Sequence, residues 1–544
     1  MALRTLYQAL LDSEPARLRV IAQQWAIPLT SGRRADIAAE LVDAMATAES
    51  VERRLTQLTP EQRSALNDLL RNDGTMPWPI FIRRWGEVRA VGAGRIERDE
   101  LWRDPVSSAE ALWHVGLVQR AFDERGGQPV EMAFVPEELA LYMPRPQPLD
   151  IPAPPAAAAP APYEKPGEDT LCDDLVTLWA AIQQEDSPEE IHPPAVVRAA
   201  LVTTLSVEHG WLRQDGDGRL RPIPNAILAW LRSDPWSQWS ALVRAWMESE
   251  RWHDIAYVPE LAPDPVHDWP SAPLASRRAL LEMLRKCEPD TWYDIVAFRD
   301  YVRAHATDYL RPDGNYHTWA PRDARTDKPL RGFEAWDSVE GALVNFIITG
   351  PLTWLGLVDV GLQAEREPPV KFRLNEAGAA LLGTASPPSL SKPGPVQVDR
   401  NGTLIVPRRR RYERFQLNRI AASVGSAGSF RYQLTPASLR SAKRQRISLD
   451  RIIAFLEEAA ENNLPAHLQA AIARAYRQGA GASLEEVWLL RVPDSQLLQS
   501  PEMRELIVEH LGPELAIIQE RDRELVARIL LKNQVLTDSD LGRS

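Results

Sequence analysis

The segment 144–167, PRPQPLDIPAPPAAAAPAPYEKPG, cannot run on as a helix or sit inside a sheet. Proline has no backbone N–H for either ladder, and its ring clashes with the preceding helical turn. A stretch this rich in proline holds an extended, polyproline-like path of about 3.1 Å per residue, a semi-rigid spacer. The chain must therefore build its folded parts on either side. A shorter break of the same kind, TASPPSLSKPGPV, begins at Thr384. With 544 residues, the chain is also too long for a single core, and length alone suggests roughly three or four domains.

Within those parts the apolar pattern changes period at glycines. AEALWHVGLV (109–118) is followed, after a Gly-Gly turn, by VEMAFVPEELALYM; LVTTLSVEHGWL (201–212) by DGDGRLRPIPNAILAWL; TGPLTWLGLV (349–358) by VKFRLNEAGAALL. In each, a 3.6-residue period gives way to a 2-residue period where a helix C-cap would place the glycine. The predicted order is helix, strand, turn, strand, helix, which resembles a winged-helix unit with the hairpin as its wing. WPIFIRRW (78–85) is the matching positioning helix of the first copy. The second helices are not basic: SSAEALWHVGLV carries Glu110 and no Lys or Arg. A major-groove helix presents Arg, Lys, Asn or Gln to base edges, so these wings read as structural or protein-binding rather than as base readers.

RLRVIAQQWAIPLTSGRRADIAAELVDAM (17–45) resembles the SAP motif, a small helix-extended-helix DNA-binding unit. Leu18, Ile21 and Ala22 form the first core face, Gly32 turns the chain, and Ile37 and Leu41 face inward from the second helix. Arg33 and Arg34 stand at that helix's start, where free N–H groups and guanidiniums suit phosphate. The alternative is a plain helical hairpin docked on the next domain.

The formal net charge is −12, against a protein that coats nucleic acid with its whole surface. Charge is uneven, however. Residues 396–450 carry twelve Lys/Arg and three Asp/Glu, a local net of +9, which leaves −21 for the rest. Its densest part is LIVPRRRRYERFQLNRI, with Arg408, Arg409, Arg410, Arg411, Arg414 and Arg419; a second cluster holds Arg440, Lys443, Arg444 and Arg446. Such guanidiniums bind phosphates with counterion release and steep salt dependence. The competing reading is a docking face for the chain's own acidic remainder or for an acidic partner. Tyr412, Phe415 and Tyr432 can stack on an unpaired base, but Phe415 and Tyr432 read as core beside Leu417, Ile420 and Leu434.

The leading strand 398–406, a further strand FRYQLTPASL (430–439), the helix RISLDRIIAFLEEAAENNLP with its proline-initiated successor, and the strand–helix–strand pattern of EVWLLRVPDSQLLQSPEMRELIVEHLGPELAII are similar to the accessory domain associated with XPB-type helicases. A similar unit ends bacterial helicase-associated proteins that lack a motor. That resemblance implies contact with distorted or damaged DNA beside a motor, a role that would fall on Arg408, Arg409, Arg410, Arg411, Arg414 and Arg419, with Arg440, Lys443, Arg444 and Arg446 assisting.

The motor chemistry is absent from the sequence. There is no GxxxxGK[ST] loop for a triphosphate and no DEAD/DEAH-like acidic box. The nine histidines form no HExxH or His-x-His, no GxSxG occurs, and the His-Asp pairs 253–254 and 267–268 read as surface pairs. Asp215 and Asp217 in DGDG lack the further ligands of a calcium loop and read as a hairpin turn. RPDGNYHTWAPRDARTDK only approaches a nuclease-type carboxylate motif. Cys172 and Cys287 are too far apart for a metal knuckle and fit a reducing compartment. The charge-broken N-terminus does not read as a signal peptide, and no run of about 18 apolar residues occurs.

The expected fold is mostly α with α+β, multidomain, with winged-helix-like units and a C-terminal α/β accessory domain. Its expected limits are 1–50 SAP-like hairpin, 51–143 winged-helix-like, 144–167 linker, 168–270 helical with a second winged-helix pattern, 271–383 winged-helix-like, 384–395 linker, 396–535 accessory-like and 536–544 tail. The expected function is a non-enzymatic, cofactor-free and metal-free DNA-binding or helicase-accessory protein, cytoplasmic and nucleoid-associated. DNA and a separate superfamily 2 helicase or nuclease would be its partners, with no membrane. The alternative is a protein–protein adaptor on a winged-helix scaffold with no direct nucleic-acid role.

Overall fold

The glycines that end the first helix of each repeat, Gly116, Gly210 and Gly356, lie in the left-handed region at φ +80°, +70° and +74°. A residue with a Cβ is strained there, so each glycine stops its helix and releases the chain into a strand. The computed structural model describes residues 5–125, 128–144, 154, 156–184, 196–265, 269, 272–426, 428–479 and 488–536. The fold is mixed α and α+β, with several small antiparallel sheets among many helices. The chain forms two compact units: Met1–Gly394 with Pro407–Gln416, and Pro395–Val406 with Leu417–Ser544.

The first unit holds two apolar cores. One gathers Leu18, Ile21, Ile37 and Leu41 of the SAP-like hairpin with Phe81, Leu112, Val115 and Val135 of the winged-helix-like part. The expected boundary at residue 50 is therefore not a core boundary. A hairpin under thirty residues cannot close a core of its own, so it buries its face on the winged-helix-like part. Trp25 Nε1 donates to Val115 O at 2.7 Å across this seam. The copy itself is the helix Ser108–Val115, the strands Gln119–Arg125 and Gln128–Phe134, and a third strand, Thr75–Pro77, on the far side of Gln128–Phe134.

The other core runs from Leu171 to Leu382 and includes Phe415, so the expected division at residue 270 also falls inside one core. Its second copy is Val196–Glu208, Leu212–Gln214, Leu220–Pro222 and Pro224–Arg232, and Asp215 Oδ1 caps the DGDG turn by accepting from the Asp217 and Arg219 N–H groups. The third is Trp336–Ile347, a π-helical turn Ile348–Leu352 around Pro351, the strands Val358–Leu362 and Lys371–Leu374, and the helix Glu376–Leu381.

The expected spacer is corrected in its second half. Tyr163–Lys165 is an edge strand paired with Val360–Leu362, and Ala158 N–H donates to Trp292 O at 2.7 Å. Proline is tolerated beside an edge strand, and the three residues between Pro162 and Pro166 retain the N–H groups that pair. Residues 145–153 and 155 lie outside the described residues.

Close backbone approach makes one glycine a sharp test. A Cβ on Gly378 would stand 2.0 Å from Leu357 O, and its N–H already donates to Oδ1 of the capping Asn375 at 2.8 Å. Gly378→Ala is expected to cost about 1–3 kcal/mol by overpacking. Gly94→Ala, with nothing within 4 Å in the helix Ala93–Arg98, is expected to gain about 0.4–1 kcal/mol. Chemical denaturation of the two variants side by side reads both signs.

The second unit has two cores of its own. The first packs the sheet Gln397–Val398, Thr403–Pro407, Ser429–Gln433, Ala422–Ser426, in that order, with the helices Pro436–Arg444, Leu449–Ala459 and Ala466–Gln478. The expected single strand 398–406 is a hairpin instead. Asp399 Oδ1 accepts from the Asn401 and Thr403 N–H groups, and Gly402 sits at φ +77°. Asn401-Gly402 is the turn signal that marks it. The other core packs the strands Trp488–Arg491, Leu515–Ile518 and Ile507–Gly512 with the helix Arg523–Lys532.

Candidate functional site

Glu168, Asp169 and Asp173 crowd the start of the fifteen-residue helix Thr170–Gln184. Free N–H groups and the positive end of the helix dipole favour carboxylates there. Burial opposes it: Asp169 and Asp173 are both buried, and an isolated buried charge is costly. The compensating charge comes from about 240 residues away. The four-arginine run leaves its strand at Pro407, turns, and starts the helix Arg411–Leu417 with its guanidiniums on these acids.

Arg411, fully buried, donates NH2 to Asp169 Oδ2 at 2.5 Å, Nε to Asp173 Oδ1 at 3.4 Å and NH1 to Gln238 Oε1 at 3.1 Å. Arg414 donates NH1 to Asp173 Oδ1 at 2.7 Å and NH2 to Thr177 Oγ1 at 3.3 Å. Arg408 reaches Asp173 Oδ2 at 2.9 Å and also pairs with Glu168; Arg409 reaches Asp169 Oδ2 at 3.2 Å. Burial pushes the Asp169 carboxyl up, but Arg411, with Arg409 and Arg408, outweighs it and holds the group below its ordinary value. For Arg411, burial pulls the guanidinium down, and the neighbouring Cys172, Asp169 and Asp173 carry it above its usual value.

This corrects the expectation of an open cationic patch at 408–414. Arg411 and Arg414 are 1% exposed, and Arg408 and Arg409 spend their charge on the chain's own carboxylates. Arg410 turns elsewhere, with Nε on Gly394 O at 2.9 Å and NH1 on Glu413 at 2.8 Å. The reading as a docking face for the acidic remainder is the one the geometry realises. Phe415 is buried in the same core, with half-buried Tyr412 packed against it. Asp169, Asp173 and Gln238 were not singled out from the sequence. The acidic string EDTLCDD directly after the linker is the signal that could have found the first two.

The second helices of the winged-helix-like copies are packed rather than presented. In Ser108–Val115 six of eight side chains are buried, among them Glu110 and His114. Glu110 takes Arg89 NH2 at 2.7 Å and Val106 N–H at 2.8 Å. Trp336–Ile347 buries Trp336, Val339, Glu340, Leu343, Val344, Phe346 and Ile347. On the positioning helix Trp78–Trp85, Arg83 pairs with Asp308 and Arg84 with Asp68. No basic side chain on these three helices is left for a groove.

Arg33 and Arg34 are exposed, as expected, at the start of the helix Arg34–Met45. Asp36 already occupies its first turn, accepting from Ser31 Oγ at 3.0 Å, and Glu40 accepts the Thr30 N–H at 2.9 Å. An incoming phosphate would meet those carboxylates. In the second unit, Arg440, Lys443 and Arg444 share one exposed face of Pro436–Arg444, away from buried Leu439 and Ala442, and exposed Arg446 comes just after it. Arg440, Arg444 and Arg446 make no ion pair among the described residues, Lys443 Nζ lies 5.5 Å from the Tyr476 ring centre, and Arg419 Nε donates to Gln445 Oε1 at 3.2 Å. The structure thus keeps the second basic cluster together on and just after one helix.

Cys172 and Cys287 are buried free thiols, each pushed up to about 12 by burial. Among the described residues no group of three metal-ligating side chains occurs, and no helix is long and apolar enough to cross a membrane. Compared with known proteins, the chain matches no family model, and a search of characterised proteins finds no significant relative.

Proposed function

We propose that this protein is a non-catalytic protein–protein adaptor, built on winged-helix-like units and working beside a separately encoded motor or nuclease. The observation that carries this reading is the Arg408–Arg414 clasp on Asp169 and Asp173. It consumes the densest positive charge internally, and the rest of the chain is strongly acidic. Such a surface repels polyphosphate and attracts basic protein. The packing of the helices that would read a groove supports the same reading. The resemblance of residues 396–535 to helicase accessory domains supports the choice of a superfamily 2 helicase as partner class. Association with that helicase, measured by pull-down from purified components, is expected to survive complete nuclease digestion. Loss of association on digestion would refute the adaptor role.

A second reading is favoured by one specific observation. The open face of Arg440, Lys443, Arg444 and Arg446 suits contact with the DNA backbone without base readout. If it makes that contact, the quadruple alanine variant is expected to lower the slope of log affinity against log salt by up to about 3–4, at about 0.9 per phosphate. An unchanged slope in a gel-shift series would exclude this face.

A further inference from the structure

In an antiparallel sheet with one face on a core and the other in water, apolar and polar side chains alternate along each strand. The three-stranded sheet Trp488–Arg491, Leu515–Ile518, Ile507–Gly512 breaks that rule. Its central strand, LAII, is apolar on both faces, and so is WLLR up to its arginine. Leu490, Ala516 and Ile518 face the core, with Val526, Ile529 and Leu530 of the helix Arg523–Lys532. The alternate residues Leu489, Leu515 and Ile517 point the other way and lie outside that core. Leu489 stands directly opposite Ile517 across one strand pair, and Glu509 stands opposite Ile517 across the other.

The bordering strand adds to the exposed apolar surface. Its register shifts between Ile507 and Glu509 and again between His510 and Gly512, which sets Val508 and Leu511 in bulges. Leu489, Val508 and Leu511 are 51%, 58% and 50% exposed. Single exposed leucines are ordinary on a protein surface, whereas adjacent strands sharing an apolar face mark an interaction surface.

A sheet buries such a face against another element. Geometry selects the kind of element. An added strand needs a regular free edge, and two bulges interrupt the one along Ile507–Gly512. A helix laid on the face needs only side chains. Charge selects its composition. Glu509 on the face and Glu514 in the turn before Leu515 are exposed, and neither side chain makes an ion pair or hydrogen bond among the described residues. Arg491, opposite Leu515, puts a cation at the other margin. Basic residues are therefore favoured on one flank of the helix only.

We infer that this face receives an amphipathic helix of a partner protein, with its apolar stripe on Leu489, Leu515 and Ile517 and its basic residues along the Glu509 side. The inference rests on the adaptor reading and names the chemistry of one of that adaptor's contacts.

The test is fluorescence anisotropy of a labelled peptide, acetyl-LKQLLKQLKQLLKQL-amide, titrated with the full chain at physiological salt. As a helix it carries its leucines in one stripe and its lysines along one flank of that stripe. The peptide is expected to bind. Leu489→Ser with Ile517→Thr is expected to weaken it about tenfold or more, and Glu509→Gln with Glu514→Gln about threefold to tenfold. The same peptide with glutamate for every lysine is expected to bind about tenfold more weakly. The control Phe122→Ser removes an exposed apolar side chain from the first winged-helix-like copy and is expected to change nothing. Absence of peptide binding to the wild type overturns the inference. So does undiminished binding by the Leu489→Ser, Ile517→Thr variant, equal affinity for the glutamate peptide, or equal weakening by Phe122→Ser. A concentration-dependent dimer in sedimentation that the same double variant dissolves would assign the face to a second copy, which overturns it too. Thermal unfolding of each variant checks folding, and the Glu509→Gln, Glu514→Gln variant carries the test if the apolar one fails to fold. Nuclease-resistant association with the helicase is read separately, so the face can fail while the adaptor role stands.

Discussion

Replacing Asp173 with alanine is expected to lower stability by about 3–5 kcal/mol, the cost of leaving a buried charge without its partner. Asp173 stands under three guanidiniums, those of Arg408, Arg411 and Arg414, and two of these are sealed from solvent. Without it, Arg414 loses its ion pair at 2.7 Å while its bonds to the residue-173 carbonyl and Thr177 stay, and Arg411 keeps Asp169 and Gln238. Solvent cannot replace the missing charge at a site that is 1% exposed. Substituting Asp173, Arg411 and Arg414 together by apolar residues of similar size is expected to recover much of the loss, because the desolvation of all three disappears with the charges. Calorimetric unfolding of the single and triple variants measures both. A single variant within about 0.5 kcal/mol of wild type, the range of an ordinary surface substitution, would show that these guanidiniums face water after all. The same physics bears on any DNA-binding assay. Alanine substitution of Arg408–Arg411 reduces the folded fraction, so a drop in affinity counts only per folded molecule.

Acid is expected to remove about 3 kcal/mol of stability through one imidazole. His114 is 2% exposed, on the helix Ser108–Val115, with Glu110 Oε1 at 3.8 Å. Burial pushes it down to about 4; Glu110 pulls it up, and Arg17 and Arg89 push it down further. The folded protein therefore keeps the ring neutral where the unfolded chain, with an ordinary value near 6.5, protonates it. Between roughly pH 6.5 and 4 the unfolded state binds more protons, so stability falls as pH falls. Above that window the contribution is constant. A shift of this size corresponds to about 3 kcal/mol at 1.36 kcal/mol per unit. Burial raises the carboxyls of Asp308 and Glu340, which act with the opposite sign. The imidazole is isolated as the difference between wild type and His114→Leu in denaturation midpoints from pH 7 to 4. Parallel curves for the two proteins would remove His114 as the cause.

Local features of the chain were legible where a local rule decides them. The glycines at 116, 210 and 356 stop helices because a Cβ is strained in their left-handed backbone, and the DGDG turn closes on its own Asp215. Burial of Phe415 and Tyr432 followed from their apolar neighbours. The Asn401-Gly402 turn is equally local, and it makes a hairpin of the segment expected as the single strand 398–406. The joining of the first two expected domains was legible only as one of two readings, the hairpin docked on the next domain. Whether Ile21 packs within its hairpin or against the loop at Gly116 depends on contacts made nearly a hundred residues away.

The arginine run marks the limit most clearly. The sequence by itself determined that nine net positive charges concentrate between 396 and 450 in an otherwise acidic chain, and that such charge must meet an anion. Only the tertiary structure decided which anion. Residue spacing has no knowledge of a helix start some 240 positions earlier, and a guanidinium binds a phosphate and a carboxylate with the same fork. Folding brings Asp169 and Asp173 beneath Arg408, Arg409, Arg411 and Arg414, and proximity in a poorly solvated interior settles the choice. In the second cluster, Arg440, Arg444 and Arg446 make no ion pair among the described residues and stay exposed.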